Sequence, residues 1–203
     1  MHARGERRLM DDANRYLLDE SGAKVKLLFD ANVLSYAEEA YRATGCHLLG
    51  YMESIHGTID WFVANDVAMN LYNNKILPGI LTNILNSGSI GMKMDHFPYV
   101  KADGSVGFVK LNKLASDDWG QIVLAYNYED LIIVTNDSKM FKSAHAVLNG
   151  RAIAFHDFLE NVSPYWDGDE NWSKLKGWLI ENKKPLRNNS SWILPPDAKR
   201  HLI

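Results

Sequence analysis

The chain has 203 residues, of which 46% are hydrophobic, and a net charge of −3, which suits one folded domain and excludes a disordered polar chain. Its apolar runs extend over about six residues, whereas a membrane-spanning helix needs roughly 20, and its single cysteine, Cys46, cannot form an internal disulfide. We therefore expect no membrane span and a cytoplasmic location. A nucleic-acid partner would have to be bound by a local basic patch or through metal ions, because the net charge is negative.

The first half of the chain alternates between strand-like and helix-like segments. Residues 1–24 are polar with a weak helical spacing, and we treat them as an N-terminal extension. Val25–Phe29 is a compact apolar run that predicts a central strand, and residues 32–49 then change to a helical period. Ile59–Ala64 predicts a second strand, followed by a helix over residues 66–72.

A segment rich in glycine and proline, about residues 76–115, interrupts this alternation. Within it, residues 99–111 predict a β-hairpin that turns at Asp103 and Gly104, because an Asp-Gly pair favours a tight turn. We interpret the segment as an insertion that forms a flap beside a functional site of the strand–helix domain.

The alternation returns in the second half. Residues 117–128 predict a helix, Leu131–Thr135 a buried strand, and residues 138–149 a second helix capped by Ser138. A last strand over residues 152–155 precedes a tryptophan-rich C-terminal extension, residues 161–203, with one helix over Glu170–Asn182. Strands that alternate with helices predict an α/β fold with a parallel sheet.

Three aspartates stand where a parallel sheet brings distant residues together. Asp30 and Asp137 each follow a predicted strand, and Asp118 lies in the first turn of the helix that leads back to the second of these strands. Parallel strands place their sites beyond their carboxyl ends. Converging carboxylates repel one another unless a cation lies between them, so the pattern predicts a Mg²⁺ or Mn²⁺ site and hydrolytic chemistry.

Three segments in this order resemble the motifs of PIN-domain nucleases. They are residues 28–34 (LFDANVL), Asp118 with residues 122–125 (IVLA), and residues 134–137 (VTND). The resemblance covers residues 25–160, apart from the insertion. It implies a three-layer α/β/α domain and a cytoplasmic, metal-dependent endoribonuclease, in a family that includes toxins of toxin–antitoxin pairs.

The resemblance also implies roles for individual residues. Asp30, Asp118 and Asp137 would bind Mg²⁺ or Mn²⁺, and Thr135 and Asn32 would orient the carboxylates or the attacking water.

The chain departs from the family at one position, because Asn70 stands where relatives carry a glutamate. Asp66, four residues earlier, lies on the same helix face and is a substitute. Asp117 is an alternative to its neighbour Asp118. Glu38, Glu39 and Asp157 are further candidate acids of the metal site.

Lysines near the insertion and the third motif are the best candidates for binding an RNA backbone. They are Lys101, Lys110 and Lys139. The two extensions are candidate surfaces for a protein partner of antitoxin or assembly type, or for self-association.

Two other functions stay open at this stage. A catalytically impaired binding module agrees with Asn70 and with the acidic net charge. A phosphatase of the haloacid-dehalogenase class would use Asp30 as its nucleophile, but it requires an aspartate where this chain has Asn32 and a threonine where it has Leu34. Asp30 and Asp137 also have plain structural interpretations, as a helix cap and as a turn residue.

Overall fold

The computed structural model describes residues 25–55, 58–64, 67, 84–85, 96–100, 105–110, 114, 116–128, 130–148 and 150–186. At residues 84–85, 96–100, 106–110 and 116–117 it describes the backbone alone. The predicted helix within residues 1–24, and all of the predicted helix 66–72 except Val67, lie outside the described residues.

Over this part of the chain, the secondary structure alternates as predicted. The strands are β1 (Val25–Phe29), β2 (Ile59–Ala64), β3 (Ile84–Leu85), β4 (His96–Val100), β5 (Val106–Lys110), β6 (Leu131–Thr135) and β7 (Ala152–Ala154). The helices are α1 (Ala31–Thr44), α2 (Leu48–Ser54), α3 (Ser116–Asn127), α4 (Ser138–Val147), α5 (Phe155–Val162) and α6 (Glu170–Asn182), with a 3-10 turn at Ser163–Trp166. Among the described helices, none is both long and apolar enough to cross a membrane.

Five of the strands form one sheet in the order β3-β2-β1-β6-β7, and every neighbouring pair is parallel. Leu28 of β1 pairs with Phe62 on one side and with Ile133 on the other. All five residues of β6 are buried, as expected for a parallel strand that is covered on both faces. The predicted α/β fold with a parallel sheet is therefore confirmed.

An aromatic cluster fills the core beside β1. The Phe29 ring stacks on Trp61 with a centroid separation of 5.9 Å and meets the edge of Phe158 at 5.4 Å. Phe155 continues the cluster toward Tyr36 of α1, at 5.4 Å. Burial of such large rings is a main source of stability, and here it joins β1, β2, α1 and α5.

The helices form two groups around the sheet. α1 packs against α2 and α6, whereas α3 packs against α4, β2 and β6. α6 contributes Trp172, Leu175 and Leu179 to the same buried core as the strands. The first part of the predicted C-terminal extension, to residue 186, is thus an integral layer of the domain.

Two helix boundaries differ from the prediction. The predicted helix over residues 32–49 is two helices, because Gly45 adopts the left-handed conformation (φ 75°) and donates its N–H to the Tyr41 carbonyl at 2.8 Å. The cap of α4 is Asp137 and not Ser138, because the Asp137 carboxylate accepts the N–H groups of Lys139 and Met140.

The helix α5 was not predicted from the sequence. Residues 152–155 were predicted as a strand, but β7 ends at Ala154 and Phe155 already begins the helix. The buried residues Phe155, Phe158, Leu159 and Val162 recur at helical spacing.

The hairpin inside the predicted insertion is confirmed for its two strands. β4 and β5 pair antiparallel, with Tyr99 opposite Gly107 and Val100 opposite Val106. The turn at residues 101–104 lies outside the described residues. The insertion range also contains β3, which adds a strand to the main sheet.

The Asp169 side chain caps the start of α6 and links it to Tyr51 of α2. Its carboxylate accepts the N–H groups of Asn171 and Trp172 at 2.8 and 3.0 Å and the Tyr51 hydroxyl at 3.1 Å. The Trp172 N–H, together with the other donors, holds the pKa of Asp169 below its ordinary value of 3.8.

We expect Gly45→Ala to lower the free energy of unfolding by about 1–2 kcal/mol, because an L-residue is strained at positive φ. The matched control is Gly177 inside α6, where an added Cβ meets no atom within 4 Å. Gly177→Ala is expected to stabilise the protein by roughly 0.5–1 kcal/mol. Urea denaturation measures both changes, and a change of the same sign in the two variants contradicts this description of α1.

We expect Asp169→Ala to lower the Tm at neutral pH through loss of the α6 cap. Because the folded-state pKa of Asp169 is depressed, its stabilisation is present above the ordinary aspartate range and is lost as pH falls through the folded pKa. The Tm difference between wild type and variant should therefore shrink below about pH 3.8. Thermal unfolding monitored across pH tests this, with Asp167→Ala as the control; a difference that persists at acid pH refutes it.

Candidate functional site

The candidate site lies where the strand order reverses. From β1 the chain moves outward through β2 to β3, and it then returns to the other side of β1 with β6 and β7. The carboxyl ends of β1 and β6 therefore lie at the switch point of the sheet, where open α/β sheets generally place the crevice that binds ligands. Asp30 directly follows β1, and Asn136 and Asp137 directly follow β6.

Asp30 is a buried acid at this crevice, with 3% of its surface exposed. Its Oδ1 accepts the Ala31 N–H at 2.6 Å and the Gln121 side-chain N–H at 3.2 Å. Its Oδ2 accepts the Thr135 hydroxyl at 2.6 Å and the side-chain N–H of Asn32. Four donors thus fill the four lone-pair positions of the carboxylate.

Burial dominates the electrostatics of this carboxyl group. Desolvation raises the pKa of Asp30 above its ordinary value, and the negative charge of Asp137 raises it further. The hydrogen bonds from Thr135, Gln121 and Ala31 act in the opposite direction. Asp30 and Asp137 are therefore close enough to repel each other, which is the condition that a bound cation relieves.

Thr135 and Asn32 both donate hydrogen bonds to Asp30. The Thr135 side chain is fully buried, and its Oγ1 accepts the Asp137 N–H at 3.0 Å and the Asn32 side-chain N–H at 3.2 Å. Asn32 also accepts the Asn136 N–H at 3.0 Å. This closed set of hydrogen bonds joins the end of β1 to the end of β6.

The other two predicted acids are Asp137, which follows β6, and Asp118, which lies in α3. Asp137 is exposed, and one of its oxygens caps α4 by accepting the N–H groups of Lys139 and Met140, each at 2.8 Å. Asp118 lies half-buried in the first turn of α3. Gln121, three residues later on the same face of α3, contacts Asp30 and thereby brings this helix to the site.

Asp30, Asp118 and Asp137 do not form a ready ligand set. Over the described residues, no three His, Cys, Asp or Glu side chains are grouped so that they could hold a metal ion. Two neutral oxygens, Gln121 Oε1 and Asn136 Oδ1, are buried here and have no hydrogen-bond partner within the described part of the chain. Carboxylate and amide oxygens suit hard cations such as Mg²⁺ or Mn²⁺, and a cation at Asp30 would have to displace one of its four donors.

Two residues of the site, Gln121 and Asn136, were not predicted from the sequence. Gln121 follows Asp118 by three residues, so the shared helix face was a usable signal. Asn136 belongs to the third motif, but its side-chain contacts depend on segments far away in sequence.

The remaining predicted residues fall into three groups. Asp66, Asn70 and Lys101 lie outside the described residues, and for Asp117 and Lys110 the structure describes the backbone alone. Lys139 is exposed in the first turn of α4, and Asp157 is exposed in the first turn of α5. Glu38 forms an ion pair with Arg42, and Glu39 forms one with Lys183.

A C-terminal strap, residues 183–186, is attached to the same edge of the sheet. The Asn136 side-chain N–H group donates to the Lys184 carbonyl at 2.9 Å and contacts the Tyr36 hydroxyl at 3.4 Å. The Lys183 ammonium lies 4.5 Å from the centre of the Tyr36 ring and pairs with Glu39. The chain that follows α6 is therefore fixed beside Asn136.

No family model, no curated protein and no solved structure matches this chain.

We expect Thr135→Val to lower the free energy of unfolding by about 1–3 kcal/mol, because Asp30 loses a donor and the Asp137 N–H loses its acceptor. Thr135→Ser keeps the hydroxyl and should cost less. Urea denaturation compares the two variants. Equal losses in both would show that the methyl group, and not the hydrogen bonds, stabilises this position.

Proposed function

We propose that this protein is a metal-dependent endoribonuclease of the PIN type, with a three-layer α/β/α domain, that hydrolyses RNA phosphodiester bonds. The observation that carries the proposal is the buried carboxylate of Asp30 at the crevice between β1 and β6. A buried acid that is held by donors from three separate elements, next to a second acid, is costly to maintain and is typical of functional sites.

Each residue has a role in this proposal. Asp30, Asp118 and Asp137 would hold Mg²⁺ or Mn²⁺, which when bound supplies an activated water and stabilises the leaving oxygen of a phosphodiester. Asn32 and Thr135 fix the rotamer of Asp30, because each donates to the same oxygen. Their rigid hydrogen bonds support precise positioning of the carboxylate.

The substrate and partner assignments extend the same proposal. Lys139 places an exposed ammonium group in the turn that Asp137 caps, where it can bind an RNA phosphate. Lys101 and Lys110 are proposed for the same role. A cytoplasmic location, and a protein partner or a second copy bound through the terminal segments, complete the proposal.

One observation favours a second candidate, a catalytically impaired binding module. All four lone-pair positions of Asp30 are occupied by protein donors, and no three His, Cys, Asp or Glu side chains of the described residues are placed to hold a metal ion. Such a network can serve as a purely structural link between β1 and β6. The phosphatase alternative has less support, because the Asn32 amide donates to Asp30 and has no titratable proton for a leaving group.

We expect Asp30→Asn to reduce Mn²⁺-dependent cleavage of single-stranded RNA by roughly 100-fold or more, because the cation loses its central charge. The matched control is Asp130→Asn, which removes an acid at the opposite edge of the sheet, directly before β6, where Asp130 pairs with Lys26. Cleavage is measured on end-labelled RNA, and circular dichroism verifies that both variants fold. Equal activity of wild type and Asp30→Asn would reject this site.

Calorimetric titration of the wild type with Mn²⁺ separates the two candidates. Binding that is lost in Asp30→Asn and retained in Asp130→Asn supports the nuclease. Absence of binding, together with absence of cleavage, supports the module.

A further inference from the structure

Gln121 is a buried side chain of the site, and only one of its two polar atoms forms a hydrogen bond to a described residue. Only 1% of its surface is exposed, and its Nε2 donates to Asp30 Oδ1 at 3.2 Å. Its Oε1 is buried and has no hydrogen-bond partner among the residues that the structure describes. A buried amide oxygen without a partner is destabilising, and in native proteins it commonly marks a bound water or ion.

The charges around Gln121 indicate which ligand suits this oxygen. Asp30 is buried, and Asp137 is close enough to raise its pKa. On α3, Asp118 lies one turn before Gln121 on the same face. A positively charged ligand is therefore favoured over a neutral one, and an amide oxygen adds a ligand without adding further repulsion.

We propose that Gln121 is a cation-binding residue of this site. Its amide N–H group donates to Asp30 Oδ1, and its Oε1, which has no hydrogen-bond partner among the described residues, coordinates a hard divalent cation. The inference rests on the proposed function, because it uses the same cation site.

The two polar atoms of the amide suit these two partners. An N–H group donates to a carboxylate, whereas an amide oxygen is a ligand that hard cations prefer. A cation at Oε1 therefore satisfies the buried oxygen without breaking the hydrogen bond to Asp30.

The test is Mn²⁺ binding by calorimetry and by thermal shift, measured on the wild type, Gln121→Leu, Gln121→Glu and a control. We expect Gln121→Leu to weaken Mn²⁺ binding by about 10–100-fold, as is typical for loss of a supporting residue at a metal site. Gln121→Glu should bind Mn²⁺ roughly tenfold more tightly through its added charge. When a chelator removes divalent metal, Gln121→Glu should have a lower Tm than the wild type. Added Mn²⁺ should then raise the Tm of Gln121→Glu by more than it raises the Tm of the wild type.

Ser143→Ala is the matched control, because Ser143 Oγ is also fully buried and also lacks a hydrogen-bond partner among the described residues. Ser143 lies six residues after Asp137, about 9 Å further along α4 at the rise of an α-helix, so its removal should leave Mn²⁺ affinity unchanged.

The outcomes separate this inference from the proposed function. If the wild type binds Mn²⁺ and Gln121→Leu binds it equally well, the inference fails and the proposed function stands. The inference also fails if Ser143→Ala weakens binding as much as Gln121→Leu. If the wild type binds no Mn²⁺, both fail. If Gln121→Leu does not fold, Gln121→Glu decides: an Mn²⁺-induced Tm shift equal to that of the wild type overturns the inference.

Discussion

The burial of one carboxylate constrains the arrangement of the elements around it. Asp30 is removed from water at the end of β1, and a charge in such a place has to be met by oriented donors. Those donors come from the start of α1, from α3 and from the end of β6. Because each donor has to lie within hydrogen-bond distance, the relative positions of these three elements are fixed by Asp30.

The same network extends to the end of the described chain. Asn32 links Asp30 to the Asn136 backbone, and the Asn136 side chain holds the Lys184 carbonyl. α6 is in turn packed into the core and capped by Asp169. The segment after α6 is therefore joined to the candidate site in two ways, by the hydrogen bond from Asn136 to Lys184 and by the packing of α6 in the core. In sequence, this segment lies far from the third motif.

The fold was predictable from the sequence wherever the signal was local. The bounds of β1, β2, β6 and α6 agree with the prediction, because each element has a run of apolar residues or a helical period with clear ends. The failures have local physical causes too. The left-handed conformation of Gly45 divides one predicted helix. The helix α5 begins at Phe155 directly after β7, so the apolar residues of the two elements form one continuous run in the sequence.

For the site, the sequence by itself determined which acids and which orienting residues are present, because Asp30, Asn32, Thr135 and Asp137 adjoin strands whose pattern is clear. Only the tertiary structure decided how they are connected. Gln121 is separated from Asp30 by 91 residues and Thr135 by 105, and no local pattern encodes which lone pair each donor fills. Folding also decided that Asp30 is surrounded by protein donors, because two of them come from α3 and β6, which pack together only in the folded chain.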